Sequence, residues 1–433
     1  MSQSDDTIHS RKLGEQERLL NYMHPFGGLM PLQVLHVRGP LDTNTLRRGV
    51  DWLQQQHPML RAHIRYRELV FRRLPPFVYR QPYFETRGTS RIPLTIVEGN
   101  WESVLHEEMR RPLKRNRAPR LRFTLVRDAA DTALNHLILA ADHACLDAKV
   151  AHLISRDLLE YLADPAAMEA RPAVSSSLPP ALEDRLPPDA DAGTKPYVPA
   201  LRLPRRPVPN SKRGTRLISR CIEKPAADAL RAAVTVNKTS IHGAVTAAFF
   251  LAMREVYGID AMTSMSSVDL RRLCKPRLPD EIFGCYIDVI RTRHDLTSDD
   301  FWTVARDVSV KVISAIARDR QASSFLKLPD WEVYAKESWP TMTHRRRLDG
   351  LGVTTASDSG LKEAYGDYTL DSVTMAVAVD VVGPSLLVLV AERLGAIDVA
   401  ICYAGDALPE ADALAITNSA MGFLTNVPAP AAA

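Results

Sequence analysis

An imidazole and two carboxylates crowd one short stretch, Asp142-His143-Ala144-Cys145-Leu146-Asp147-Ala148. An imidazole with an ordinary pKa of about 6.5 is suited to take a proton near neutral pH. It can thereby activate a hydroxyl or an amine for attack on an acyl carbon. Asp147 has two available jobs. It can orient His143, or it can cap the following helix and pair with an arginine. In so short a turn the cap or ion pair is geometrically easier than a direct triad. A His followed four residues later by an Asp also recurs by chance in purely structural roles. A metal centre has less support, because no cluster of further ligands accompanies the pair.

The neighbouring residues say what must position this turn. "TALNHLILAAD" before it is almost wholly apolar and predicts a strand lying centrally in a sheet. "LRFTLVRD" predicts the hairpin partner, turning around Asp128–Asp131. After the turn, Val150, Leu153, Ile154, Leu158 and Leu162 share one helical face, with Asp147 at or near the N-cap. His143 is therefore expected at or just past a strand end.

Upstream, "LGEQERLLNYM" has helical spacing and "LMPLQVLHVRGPLD" alternates as a strand. Asp42 is a candidate N-cap for a helix carrying Leu46, Val50 and Leu53, and "LRAHIRYR" is a further strand. Downstream, "PAADALRAAVTVNK", "SIHGAVTAAFFLAMREVY" (capped by Ser240), "SDDFWTVARDVSVKVISAIAR" and "PEADALAITNSAMGFL" predict helices. "AMTSMSSVDLR" and "YIDVIRTRHDL" predict strands, and residues 372–405 predict three more joined by short turns. The pattern is mixed α/β with many antiparallel pairs.

The 433 residues are too many for one ordinary core, so two domains or one two-lobed unit are expected. Prolines concentrate between Pro165 and Pro209 and predict a long, poorly structured connection. This divides the chain into 1–165, which carries the His–Asp motif, a connection over 166–212, and 213–433. With 45% apolar and 24% charged residues the composition is that of a globular protein, not a disordered or fibrous one. A net charge of +4 permits an acidic partner without arguing for one. The five cysteines are scattered and never form a CxxC pair, which disfavours a disulfide framework or a zinc site and fits a reducing compartment. The polar N-terminus lacks the apolar core of a signal peptide, and no long uncharged apolar run appears. A cytoplasmic location is expected. No Walker loop or dinucleotide-binding glycine pattern is present, so neither ATP nor NAD is implied.

The ordered set of motifs resembles the acyltransferases of the condensation-domain superfamily, with its chloramphenicol acetyltransferase fold. It includes stand-alone condensation domains, polyketide-associated acyltransferases and plant acyl-CoA-dependent acyltransferases. The family motif is HHxxxDG, minimally HxxxD, and His143 and Asp147 match the minimal form. "LGEQERL", "VRGPLDTNTLRRGVDWLQQQHPMLRAHI", "SIHGAVTAAFFLAM", "SSVDLRRLCKP" and "FGCYIDVI" follow in the family's order, covering most of the chain. Asp142 stands where the family has its first His, and Ala148 where it has Gly. Family members with only the second His are active. A carboxylate beside His143 would favour its charged form, and an alanine is awkward only if the family's glycine needs φ > 0.

The resemblance implies two chloramphenicol acetyltransferase-like α/β sandwich lobes in a V-shaped pseudo-dimer, with a tunnel between them. It implies His143 as general base, no metal, and Asp147 as a structural carboxylate paired with Arg271, or with Arg272 as second choice. Asp142, Gly284, Tyr286 and Ser357 become candidates for the tunnel wall or for the oxyanion, with core packing weighed against Phe283 and Tyr286 as wall residues. Gly284 is expected to permit a close backbone approach. Ser357 and Ser359 lie in "GVTTASDSG", and an ordinary polar turn is the competing reading. His57 falls in a structural signature. The activity implied is transfer of an acyl group from an acyl-CoA or a phosphopantetheinyl carrier protein, as co-substrate, to an alcohol or amine. Secondary-metabolite or lipid biosynthesis is the expected setting, and no cofactor is bound permanently. The alternatives are a catalytically inactive carrier-protein-binding module and a thioester hydrolase. Partners are the thioester donor and a small-molecule acceptor, with no nucleic acid and no membrane span, and a monomer is expected. The basic runs Arg72–Leu74, Arg202–Pro207 and His344–Gly350 can receive an acidic carrier or CoA phosphates, or serve as solvated surface.

Overall fold

The computed structural model describes residues 8–427 except 25–27, 72–77, 115–116, 129, 174, 187–197, 205–213, 322–349, 357–359, 380–382 and 406. Two six-stranded sheets dominate it. The first runs in the order β12 (Ala364–Tyr365), β13 (Tyr368–Val379), β2 (Gly28–Arg38), β7 (Leu134–Ala141), β6 (Leu121–Arg127) and β5 (Leu94–Glu98). β7 is buried from Asn135 to Ala141, as its unbroken apolar run requires of a central strand. It pairs with β6 as an antiparallel hairpin whose register sets Leu121 opposite Ala141.

One helical layer covers this sheet. Helix α2 (Thr43–Gln56) begins where the Asp42 side chain accepts from the Thr45 amide, and buries Leu46, Val50 and Leu53 completely. It lies against α4 (Ala148–Ala163), the helix that follows the His143 turn. Gly49 permits the close approach, since a Cβ there would stand 2.8 Å from the Tyr161 ring and 2.9 Å from Leu158.

The second sheet has the order β10 (Ile287–Asp295), β9 (Ala261–Asp269), β11 (Leu351–Ala356), β14 (Leu386–Arg393), β15 (Ala396–Ala404) and β8 (Thr215–Ile222). Its principal helix, α7 (Ile241–Tyr257), is buried from Gly243 to Met253 between α8 (Phe301–Gln321) and α9 (Glu410–Thr425). The all-round Ala and Phe content of α7 suits that enclosed place. A third, smaller sheet joins β1 (Ser10–Lys12), β4 (Val78–Glu85) and β3 (His63–Phe71).

Two features depart from a simple reading of chain order. Strands β12 and β13 lie in the second half of the chain, yet they complete the first sheet, with Thr374 opposite Val34. The chain then returns to the second sheet through β14. An apolar layer holding Val34, Ile138, Met375 and Val377 with Leu387, Leu389 and Cys402 joins strands of both sheets. The described parts of the proline-rich connection are also more ordered than its composition predicts. Asp164 caps a short helix with Pro165 in its first turn, while Leu178, Ala181, Leu182 and Leu203 are buried. Prolines remove donors but leave carbonyls, and those of Pro179 and Pro180 accept from Arg11 and from the Tyr286 hydroxyl.

The crossing strand is tied in by a buried histidine pair. His36 on β2 faces His136 on β7, with 2.7 Å between their Nδ1 atoms, and its Nε2 lies 3.0 Å from the Thr374 hydroxyl on β13. One proton must be shared between the two Nδ1 atoms. Burial first, then the neighbouring His136 and Arg393, pushes the His36 pKa from 6.5 down to about 3. Between those values the unfolded chain takes up a proton that the folded protein refuses, so stability falls as pH drops through that window. Replacing His36→Gln is expected to flatten the dependence of the urea midpoint on pH over that range by about one proton. An unchanged slope would show that His36 does not resist protonation.

Candidate functional site

The site forms where β7 ends. The turn Asp142–Asp147 follows Ala141, and α4 starts at Ala148. Asp147 is the N-cap: one carboxylate oxygen accepts from the Val150 amide at 3.1 Å. Its other oxygen accepts from the Tyr286 amide at 3.0 Å and from Arg271 at 2.8 Å. Arg271 is 1% exposed, and its other contacts are Asp269, the Gly284 carbonyl and the face of the Tyr286 ring. Arg272 is exposed and takes no part. Asp147 is thus turned to these three donors, and no hydrogen bond joins it to His143 among the described residues.

Asp142 is occupied as well. It is fully buried, and one carboxylate oxygen accepts from both Nε and Nη2 of Arg120, itself 1% exposed. The other oxygen accepts from the Ala144 amide at 3.0 Å, with His24 Nδ1 4.0 Å away. Burial pushes the carboxyl up, but the Arg120 charge, then His24 and the hydrogen bonds, overcome this and hold it below the usual carboxylate range. The residue where the family has its first histidine therefore anchors the turn and does not face His143. The alanine at 148 carries no strain either, because it is the first residue of α4 and is not among the positive-φ residues.

His143 itself is partly exposed. Its Nδ1 lies 3.7 Å from the sulfur of Cys285, a buried residue from the second half of the chain. Nε2 makes no hydrogen bond among the described residues. The turn therefore presents one open basic nitrogen, flanked by two carboxylates that are both engaged elsewhere. Chemically, that arrangement can accept a proton from an incoming hydroxyl or amine.

The remaining expected residues fall as follows. At Gly284 a Cβ would stand 2.6 Å from the Tyr286 ring, so glycine serves a close approach. Tyr286 is 1% exposed and donates to the Pro180 carbonyl, so the expectation that it lines a channel does not fit its burial; the same holds for Asp142. Phe283 stacks on His57 with 3.6 Å between ring centroids, and His57 sits 3.4 Å from Asp157. Both border a cavity of about 140 Å³ that does not include His143. Ser357 and Ser359 lie outside the described residues, as do the basic runs except Arg202–Pro204 and Gly350. Among the described residues no group of three or more His, Cys, Asp or Glu is placed to hold a metal ion, and no helix is long and apolar enough to cross a membrane.

Sequence reasoning missed Arg120 and Cys285. Arg120 had a usable signal. The β6–β7 register that sets Leu121 opposite Ala141 carries on to set Arg120 opposite Asp142, where opposite charges pair. Cys285 had none, since its meeting with His143 depends on how the two halves pack.

Comparison with known proteins places these observations. The family described as phthiocerol/phthiodiolone dimycocerosyl transferase C-terminus matches residues 216–344. No curated protein matches the chain. Polyketide synthase associated protein 5 from Mycobacterium tuberculosis superposes with a TM-score of 0.64 at 13% identity, covering 98% of this chain and 100% of that one. Trichothecene 15-O-acetyltransferase from Fusarium sporotrichioides gives 0.72 at 12% identity over 96% and 94% of the two chains. The condensation domain of the monacolin K polyketide synthase gives 0.66 at 10% identity over 98% of both.

Breaking the Asp142–Arg120 pair leaves a buried guanidinium without its counter-charge. Asp142→Asn is therefore expected to cost about 3–5 kcal/mol of stability, read by urea unfolding. A variant as stable as the parent would mean the pair does not anchor the turn.

Proposed function

Taking the condensation-domain superfamily fold of this chain as the premise, we infer that the protein is an acyltransferase. It moves an acyl group from a thioester, on CoA or on a carrier-protein phosphopantetheine arm, to an alcohol or amine. The observation that carries this reading is the open Nε2 of His143 at the end of a buried strand, between two carboxylates that are bound to arginines. The match over residues 216–344 to a family whose description names a transferase supports the same reading, and so does a neighbour named as an acetyltransferase.

The chemistry needs little more than one base and a held geometry. As the acceptor oxygen or nitrogen bonds to the thioester carbon, its proton passes to Nε2 of His143. The tetrahedral oxyanion then collapses, the carbon–sulfur bond breaks, and the departing thiolate takes the proton from the imidazolium. The ester or amide and the free thiol leave. General base action contributes roughly 10²–10⁴-fold, and holding both reactants in line adds on the order of 7 kcal/mol or more. In this reading the two reactants meet in a channel between the halves of the chain, at His143. Asp147 and Arg271 shape the turn and touch neither reactant. A natural-product pathway is the setting that the named neighbours support.

Pooled acyl-CoAs, acylated carrier proteins and candidate acceptors, followed by mass spectrometry of the products, test the reading. Acyl transfer that His143→Ala reduces at least about a hundredfold, with an unchanged melt, is the expected result. A variant that retains most of its turnover would refute the base. Thiol release without acceptor would mean hydrolysis, and carrier binding without any release would mean a binding module. Asp147→Asn is expected to lose folded yield as well as rate, measured by soluble expression and turnover on one preparation; full activity in well-folded protein would count against its structural role.

A further inference from the structure

A histidine acting as a base needs its proton on one ring nitrogen and its lone pair on the other. Commonly a carboxylate or a carbonyl accepts from the protonated nitrogen and so selects the tautomer. Here both neighbouring carboxylates are engaged by other donors, Asp147 by Val150, Tyr286 and Arg271, and Asp142 by Arg120 and Ala144, and no hydrogen bond joins either to His143 among the described residues. Among the described residues, the atom set against Nδ1 is the sulfur of Cys285, 3.7 Å away.

We propose that Cys285 is the positioning residue of His143, its sulfur accepting from Nδ1–H so that the lone pair stays on the open Nε2. The assignment rests on the reading of His143 as the base. Its physical basis is the path of the chain around Cys285. Gly284 is pressed against the Tyr286 ring, the Gly284 carbonyl accepts from Arg271, and the Tyr286 amide donates to Asp147. Bonds on both sides therefore hold residue 285, and the ion pair that orders the turn also aims the sulfur at the ring within it.

The environment keeps this sulfur a thiol. Burial pushes the Cys285 thiol well above its ordinary value, and the nearby Asp147 and Glu17 charges push the same way. It therefore supplies a neutral, weakly accepting contact and adds no negative charge beside the imidazole. A buried, protonated thiol is also a poor nucleophile, so the acyl group passes directly to the acceptor without resting on Cys285.

The test uses the full-length protein labelled with ¹⁵N-histidine, with the ring signals of His143 assigned by their loss in His143→Ala. The neutral ring is expected to carry its proton on Nδ1 in the parent and in Cys285→Ser, whose hydroxyl still accepts. In Cys285→Ala the proton is expected to move to Nε2. With the donor and acceptor pair that the product screen identifies, Cys285→Ala is expected to lower kcat roughly tenfold with KM unchanged, and Cys285→Ser to restore most of it. A ring still protonated on Nδ1 in Cys285→Ala, or a kcat within about twofold of the parent, overturns the assignment to Cys285 while an inactive His143→Ala leaves the base standing. A fully active His143→Ala overturns the base and this assignment with it. An acyl group found on Cys285 by intact-protein mass spectrometry, after donor is supplied without acceptor, would make the residue a nucleophile and also overturn the proposal.

Discussion

Asp147 and Arg271 form an ion pair that water hardly reaches, both residues being no more than 2% exposed. Moving two such charges out of water costs several kcal/mol per ion, and attraction alone seldom recovers it. Here the hydrogen bonds around the pair offset part of the difference, while Arg271 Nε has no partner among the described residues. Asp147 also takes the Val150 and Tyr286 amides, while Arg271 also reaches Asp269 and the Gly284 carbonyl. Because Asp147 ends the turn after β7 and Arg271 follows β9, the pair joins the first half of the chain to the second at the turn that carries His143. Removing either partner would leave the other charge buried alone, which is why the local backbone has so little freedom.

A second buried pair holds the other end of the same turn. Arg120 meets Asp142 across the start of the β6–β7 hairpin, and the backbone amide of Asp142 donates to the Arg120 carbonyl as well. Four residues therefore stand between two anchored carboxylates, and His143 is the first of them. This accounts for a histidine with acidic neighbours on both sides that forms an ion pair with neither. The charges are used to shape the backbone, and the imidazole is left to do proton chemistry.

Much of this was legible. The apolar run of β7, the hairpin before it, the helical face that begins at Val150 and the cap at Asp147 all follow from residue type and spacing. The partnership of Arg271 with Asp147 was expected from the family's motifs, and the structure brings the two together. The order of the described residues around Pro165–Leu186 and Leu203 was not legible, since prolines read as breaks while their carbonyls and the apolar residues between them are still free to pack. Nor was the membership of β12 and β13 in the first sheet, because alternating apolar strands from either half satisfy the same pattern of burial.

What the sequence by itself determined is therefore local: where the strands and helices begin and end, and that one base would stand at a strand end ahead of a capped helix. Those properties depend on periodicity and on side chains within a few residues of each other. Which atoms surround that base was decided only by the tertiary structure. Cys285 lies on a segment 142 residues away from His143, and β13 crosses back to β2 over an even longer separation. Contacts of that kind arise when two buried faces are pressed together, and residue spacing along the chain carries no record of them.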